Sequence, residues 1–250
     1  MTKWRIIDLE ASSAFTNMAL DEAISDAVRA KESLPTIRFY KWKPSAVSIG
    51  YFQSLPDEVD AELCKKNGVD IVRRRTGGGA VYHDSNGEIT YSVIAPESLF
   101  PKGITESYHL ICGWIVNAMG KLGIASEFKP INDIIASGKK ISGNAQTRRN
   151  GILLQHGTIL YKLDVATMFS LLKVPKEKIS DKFIQDVKQR VTSVTDINPQ
   201  ITEQQLKEAL VAAFTAGKEF EVGTITAKER AAAEKLAKER YASDEWNFMR

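Results

Sequence analysis

The run Arg73-Arg74-Arg75-Thr76-Gly77-Gly78-Gly79-Ala80-Val81-Tyr82-His83-Asp84 concentrates more chemistry than any other stretch of this chain. Three guanidiniums precede three consecutive glycines, which lead into an aromatic ring, an imidazole and a carboxylate. Glycine lets a backbone reach positive φ and lets its N–H groups approach a ligand with no Cβ between them. Consecutive exposed N–H groups make an anion-binding concavity, and arginine adds a planar fork matched to phosphate oxygens. Such a loop suits a phosphate-bearing or adenylated ligand. A Gly turn between two strands with a solvated basic flank is the competing reading. Two common phosphate loops are excluded: no Gly-Lys-Ser/Thr follows the glycines, and no Gly-x-Gly-x-x-Gly opens a helix.

The other reactive side chains are dispersed. His83, His109 and His156 lie far apart with no Cys-x-x-Cys nearby, which is not metal-ligand spacing. Cys64 and Cys112 fall in helix-like patterns, away from any His or Gly-rich loop. They read as reduced structural thiols of a cytoplasmic protein.

The elements that must carry these residues are legible in the hydrophobic pattern. Trp4 to Leu9 and Thr36 to Trp42 read as strands flanking a helix over Ala14 to Arg29. Ala46 to Tyr51 is a third strand, and Asp57 to Lys66 a short helix ended by Asn67-Gly68. Strands follow over Asp70 to Arg74, Gly79 to His83 and Glu88 to Ile94, with Ser85-Asn86-Gly87 as a hairpin signal between the last two. Thr105 to Leu122 is an apolar helix expected to cross the sheet. Ile131 to Ile135, Lys140 to Thr147 and Ile152 to Tyr161 form a second β-rich block, punctuated by Ser137-Gly138 and Asn150-Gly151. Meander logic puts Lys140 and His156 on neighbouring strands. From Val165 the pattern turns mostly helical. Thr202 with Gln205, and Thr226 with Glu229, carry capping-box spacing, and Glu219 to Val222 reads as an edge strand. The fold class is α/β (α+β), with central mixed β-sheets flanked by helices. The chain, 1–250, is expected as a single catalytic domain whose residues from about 200 to 250 form a small helical lobe.

Composition bounds the answer further. The 250 residues are 43% hydrophobic and 26% charged, ordinary for a globular chain with a full core. A net charge of +3 is too small to imply nucleic acid, and the single arginine cluster lacks the interleaved aromatics of a nucleic-acid surface. No apolar run approaches the roughly 18 residues that a spanning helix needs. The N-terminus shows no secretory pattern, so no membrane association is expected and the cytoplasm is the expected compartment.

On several of these segments the chain resembles the lipoate–protein ligase A family, within the group that includes biotin protein ligases and octanoyltransferases. The resemblance rests on Trp4 to Asp8, Asn17 to Ala23, Ile37 to Trp42, Ser48 to Gln53, the Arg-Gly run, Asn132-Asp133-Ile134, Gly138 to Gly143, Gln155 to Thr158 and Asp244 to Asn247, in order along the chain. It implies a catalytic domain like that of class II aminoacyl-tRNA synthetases and biotin protein ligases. The activity implied is activation of lipoate by ATP and Mg²⁺ to lipoyl-AMP, then acyl transfer to a lysine of a lipoyl-domain acceptor, such as a 2-oxoacid dehydrogenase E2 or glycine-cleavage H protein.

By the same resemblance, Lys140 matches the lysine of a Lys-hydrophobic-Ser-Gly motif that contacts both the α-phosphate and the acyl carbonyl, and is the expected catalytic residue. Lys139, on the opposite strand face, is the natural control. Arg74, Gly77, Gly78, Gly79, Ala80, Val81, Tyr82, Asn132 and Asp133 match the ATP and lipoyl-AMP contacts, with Asp133 as the Mg²⁺ ligand. His83, Gly143, Ala145, His156 and Gly157 match the lipoate pocket. Tyr40, Ile49, Tyr51, Val81 and Ala145 are candidates for the acyl slot or for core.

The chain also departs from the family. Two-domain ligases carry a further C-terminal domain that is absent after Asp244 to Asn247, so a separate small subunit is an expected partner. An octanoyltransferase or lipoyltransferase acting from a carrier protein without ATP is the rival. Cysteine-dependent enzymes of that type place a thiol near the Asn132-Asp133 position, and Pro130 to Ile135 contains none. They also read Gly-Gly-Arg where this chain has Gly77-Gly78-Gly79. On these two departures the ATP-dependent ligase is the expected activity.

Overall fold

The computed structural model of the chain describes residues 2–173 and 189–250. In chain order the labelled elements are β1 (Lys3–Ser12), α1 (Ala14–Arg29), β2 (Thr36–Trp42), β3 (Ala46–Ile49), α2 (Leu55–Glu58), α3 (Ala61–Lys66), β4 (Asp70–Arg73), β5 (Val81–His83), β6 (Glu88–Pro96), α4 (Ile104–Lys121), β7 (Ser126–Lys129) and β8 (Asp133–Ala136). They continue with β9 (Lys139–Arg149), β10 (Ile152–Leu160), α5 (Val165–Leu171), α6 (Val194–Ile197), α7 (Glu203–Thr215), β11 (Glu219–Gly223), α8 (Ala227–Leu236) and α9 (Asp244–Asn247). The helical pattern expected from Val165 onward is met by α5; its continuation over 174–188 lies outside the described residues.

Two sheets organise the described residues, in line with the mixed α/β expectation. An eight-stranded sheet runs β11-β1-β2-β6-β10-β9-β8-β7, and a three-stranded sheet runs β4-β3-β5. β11, β1 and β2 are parallel, while β2, β6, β10, β9, β8 and β7 alternate antiparallel. β6 and β10 are buried along nearly their whole length, which explains their unbroken apolar runs: helices cover both faces. On one face, α4 and α7 close a core around Phe39, Tyr91, Ile115, Leu210 and Phe214. On the other, α1 and α8 close a core around Ile7, Leu20, Ile24, Trp42 and Ile94.

Local chemistry sets the turns that bring the site strands together. Ser137 and Gly138 both take positive φ (50° and 74°), as do Asn150 and Gly151 (53° and 77°). Paired positive φ values match the right-handed twist of the strands they join, so β8-β9-β10 forms a tight meander. Lys140 and His156 fall on adjacent strands as expected. The hairpin expected at Ser85-Asn86-Gly87 does not form. β5 belongs to the small sheet and β6 to the large one, so this turn hands the chain between sheets. A turn signal specifies a reversal but not the partner strand.

Residues 200–250, expected as a small helical lobe, are built into the body. α7 buries Leu206, Leu210 and Phe214 in the large core. β11 adds a parallel edge strand to β1, and Glu229 of α8 forms a buried ion pair with Arg5 of β1 at 2.6 Å. The capping box read at Thr226 and Glu229 is present, and its glutamate also makes this long-range pair. Breaking a buried pair by removing one partner costs about 3–5 kcal/mol.

Candidate functional site

A cavity of about 310 Å³ opens between the small sheet, the Gly77–Gly79 loop and strands β9 and β10. Its wall includes Arg74, Gly78, Gly79, Ala80, Val81, Tyr82, His83, Asn132, Lys140, Gly143, Ala145, His156 and Gly157. Of the residues expected at a site, Gly77 and Asp133 are outside this wall but touch it. Gly77 accepts from Arg74 at 2.8 Å, and Asp133 pairs with Lys140 at 2.7 Å. Residues from Arg74 to Gly157 thus converge on one cavity although they are distant in sequence. Tyr40 also lines the cavity, whereas Ile49 and Tyr51 do not. Ile49 is core of the small sheet, and Tyr51 packs edge-on against Phe52 and tilted against Trp246 under the Arg149 guanidinium.

Lys140 owes its pose to a strand irregularity. The β8–β9 register runs Ile134↔Ser142 and then Ile135↔Lys140, leaving Ile141 as an extra residue on β9. Such a bulge re-aims neighbouring side chains. The Lys140 backbone is tied on its other side, its N–H donating to the Arg190 carbonyl at 2.8 Å and its carbonyl accepting from Thr192 N–H at 2.9 Å. The Lys140 stem lies across Gly143, where a Cβ would meet Cε at 2.8 Å and Nζ at 2.9 Å. Glycine at 143 is therefore a steric requirement of that pose. The Lys140 side chain keeps 40% of its surface exposed, so its ammonium remains open to a ligand.

Arg74 is differently employed. Its guanidinium donates to the carbonyl and hydroxyl oxygens of Ser48, both at 3.0 Å, and to the carbonyls of Gly77 and Gly79 at 2.8 and 2.7 Å. Burial pulls it down to about 10, so it stays charged at neutral pH. It clamps the glycine loop from beneath while lining the cavity. Gly50 makes the clamp possible, since a Cβ there would lie 2.0 Å from the Gly78 carbonyl oxygen. Arg73 is fully buried and structural. It donates to carbonyls of Gly50, Tyr51, Gln53, Trp246 and Asn247, tying the chain end to the loop. Arg75 is also support, pairing with Glu22 at 3.2 Å.

Both cavity histidines are bound on both sides. His156 Nδ1 is 3.2 Å from Asp21 and its Nε2 2.7 Å from the Thr76 hydroxyl. Burial holds its imidazole below the ordinary value near 6.5, against the opposing pull of Asp21. His83 Nδ1 is 2.7 Å from Glu88 Oε1, its Nε2 is 2.8 Å from Ser48 Oγ, and its ring stacks on Trp42 at 4.0 Å. Asn144, beside Gly143, accepts from the Tyr91 hydroxyl at 2.7 Å and donates to the Asn132 carbonyl at 2.9 Å. Asp21, Ser48, Glu88 and Trp42 were not singled out from sequence as site residues. The signals available for Asp21 were a carboxylate inside the apolar pattern of α1 and its place in the Asn17 to Ala23 segment of the resemblance.

The donor set for Mg²⁺ is thin. Asp133 is ion-paired to Lys140, and among the described residues no group of three or more His, Cys, Asp or Glu side chains could hold a metal ion. The residues do not form a protein cage for the ion. The thiols are no better placed for catalysis: Cys64 and Cys112 lie outside the cavity wall, and burial pushes them up to about 11 and about 12. No helix among the described residues is long and apolar enough to cross a membrane.

Residues 13–215 match the family described as the lipoyl protein ligase A/B catalytic domain. The octanoyltransferase LipM of Geobacillus kaustophilus is 39% identical, covering 99% of this chain and 98% of that protein. That of Brevibacillus brevis is 37% identical over 100% of both. The first alignment runs over 275 positions, more than the 250 residues present here, so the relative carries insertions this chain lacks. Among solved structures, a bi-partite lipoate protein ligase from Thermoplasma acidophilum superposes with a TM-score of 0.88 at 34% identity, covering 99% and 97% of the two chains. A lipoate-protein ligase A bound with ATP superposes at 0.84 and 32% identity, covering 98% of each. The full-length octanoyltransferase relatives overturn the expectation of an ATP-dependent ligase. The missing thiol at Asn132-Asp133 and the Gly77-Gly78-Gly79 sequence do not separate the two activities, because octanoyltransferases at 37–39% identity and ligases at 32–34% identity both match this chain nearly end to end. The chain belongs to the lipoyl protein ligase A/B catalytic domain family.

Proposed function

We propose that this protein is an acyltransferase that moves an octanoyl or lipoyl group from a thioester on a carrier protein to a lysine of a lipoyl-domain acceptor, without ATP. The observation that carries this reading is the end-to-end identity of 37–39% with octanoyltransferases. The cavity chemistry agrees with it. Met18, Tyr40, Trp42, Val81 and Leu160 offer apolar surface to a medium-length acyl chain, and Lys140 stands on the same wall. A lipoyl domain as acceptor is favoured by the Thermoplasma system, a ligase described with its E2 lipoyl domain. A separate adenylating subunit and Mg²⁺ belonged to the ligase reading and have no part in this one.

A thioester is already activated, so the protein must bind the chain, polarise the carbonyl and admit the acceptor amine. The Lys140 ammonium is the group suited to offset charge on the carbonyl oxygen as it becomes tetrahedral. Removing one such donor typically costs about 10²–10³ in kcat. Asp133 and Gly143 position that ammonium, one by its charge and the other by its missing Cβ. Lys140→Ala is expected to lower kcat by about 10²–10³ with unchanged thermal stability.

The test is acyl transfer to a purified lipoyl domain, read by mass spectrometry, in paired reactions. One offers octanoyl carrier protein without ATP, the other free octanoate or lipoate with Mg-ATP. Label from the carrier protein is the expected result. Label only from free acid with ATP would overturn the reading.

A further inference from the structure

Acyl transfer through an enzyme-bound intermediate needs a nucleophile, and neither thiol of this chain lines the cavity. The geometry points to Ser48 as that nucleophile, with His83 as its general base and Glu88 orienting the imidazole. This inference rests on the transferase reading above. Ser48 Oγ lies 2.8 Å from His83 Nε2, and His83 Nδ1 lies 2.7 Å from Glu88 Oε1. A nucleophile within hydrogen-bond reach of a base that a third group orients is the recurring arrangement of covalent acyl transfer, recognised by geometry rather than by sequence position. All three residues line the cavity, and they come from three strands, β3, β5 and β6.

The surroundings assign the protons. Glu88 Oε1 also accepts from the Thr90 hydroxyl at 2.8 Å, and Thr90 Oγ1 accepts from Trp42 Nε1 at 2.8 Å. A carboxylate accepting at Oε1 draws the imidazole proton to Nδ1, which leaves Nε2 free to accept from Ser48. Trp42 stacks on the ring with planes 16° apart, fixing its direction. Arg74 donates to Ser48 Oγ at 3.0 Å, so a guanidinium faces the oxygen where alkoxide character develops.

The reaction balances without a co-reactant. Ser48 Oγ attacks the thioester carbonyl carbon as its proton passes to His83 Nε2. The C–S bond breaks, and His83 returns the proton to the departing carrier thiolate, leaving an octanoyl ester on Ser48. The acceptor lysine amine then attacks that ester carbonyl and gives a proton to His83. The C–O bond breaks, and the proton restores the Ser48 hydroxyl.

The full chain is incubated with octanoyl carrier protein alone, quenched in acid and peptide-mapped, then chased with lipoyl domain. The expected result is one octanoyl group on Ser48, stable to neutral hydroxylamine as an ester is, and lost on the chase. Ser48→Cys keeps an adduct at the same position but renders it labile to neutral hydroxylamine, which a folding defect would not do. His83→Gln is expected to slow adduct formation by about 10²–10⁴. Glu88→Gln, acting through the imidazole, is expected to move the pH–rate profile of adduct formation. Full-rate transfer by Ser48→Ala with no adduct on wild type would overturn the nucleophile while leaving the transferase reading intact. An adduct mapped to Lys140, Cys64 or Cys112 would overturn it too. No transfer from carrier protein, with label from free acid and ATP, would remove both.

Discussion

His83 and His156 line the same cavity, and each ring lies between a carboxylate and a hydroxyl. The partners at either end separate them. The Asp21 carboxylate on His156 is shared with the Arg38 guanidinium at 3.1 Å, the Ser92 hydroxyl at 2.6 Å and the Tyr40 hydroxyl at 3.5 Å. The hydroxyl beyond His156 belongs to Thr76, fully buried and not part of the cavity wall. The Glu88 carboxylate on His83 is shared with the Thr90 hydroxyl, and the hydroxyl beyond His83 is that of Ser48, in the cavity wall. The same three-group motif thus ends behind the cavity at one histidine and borders the cavity at the other, although Ser48 itself is only 1% exposed. A relay does chemistry only where its terminal oxygen can meet a ligand.

The largest effect that would break this contrast lies at Asp21. Asp21→Ala leaves the Arg38 guanidinium, fully buried, without its ion-pair partner, and a buried charge left alone costs about 3–5 kcal/mol. Urea unfolding should record that loss, while Glu88→Gln, which strands no buried arginine, should lose much less. Equal losses would mean that the two relays do the same structural work. A smaller effect is expected at Thr76. Thr76→Val removes the hydroxyl on His156 Nε2 and should cost about 1–3 kcal/mol of stability, with acyl transfer by the folded fraction reduced less than about tenfold. A collapse of transfer comparable to that of Ser48→Ala would put His156 in the chemistry.

The smallest effect sharpens the same point through pH. His156 is held below its ordinary value near 6.5 in the folded protein. On acidification through that value the unfolded chain takes up a proton that the folded chain refuses, so stability falls as pH falls. The wild type should therefore lose urea resistance between about pH 7.5 and about pH 5.5, and His156→Gln should flatten that slope. An unchanged slope in the variant would assign the acid sensitivity to another group.

The residues also divide by how they could be read. Ser137-Gly138 and Asn150-Gly151 forecast the meander that sets Lys140 beside His156, because paired positive φ is a local property of those side chains. The capping boxes at Thr202 and Thr226 were equally local and are present. The Ser85-Asn86-Gly87 turn misled, since the pairing of its flanking strands depends on sheets assembled from distant segments. The role of Arg73 is equally non-local: five backbone carbonyls, two of them from Trp246 and Asn247, converge on it only after folding. The Gly77–Gly79 loop pointed to the right family and the wrong activity, since its glycines answer to Gly50 and Arg74 beneath the cavity.

The amino-acid sequence alone determined most of the strand and helix order (though not β7), the turns of positive φ, and the placing of the cavity-wall glycines, Lys140 and both histidines within one family's motifs. These follow from hydrophobic period, capping and turn chemistry, which act over a few residues. Tertiary structure decided which hydroxyl and which carboxylate each histidine meets and which arginine is buried as a clamp. Those depend on distances between α1, β3, β5, β6 and β10, which spacing along the chain does not encode.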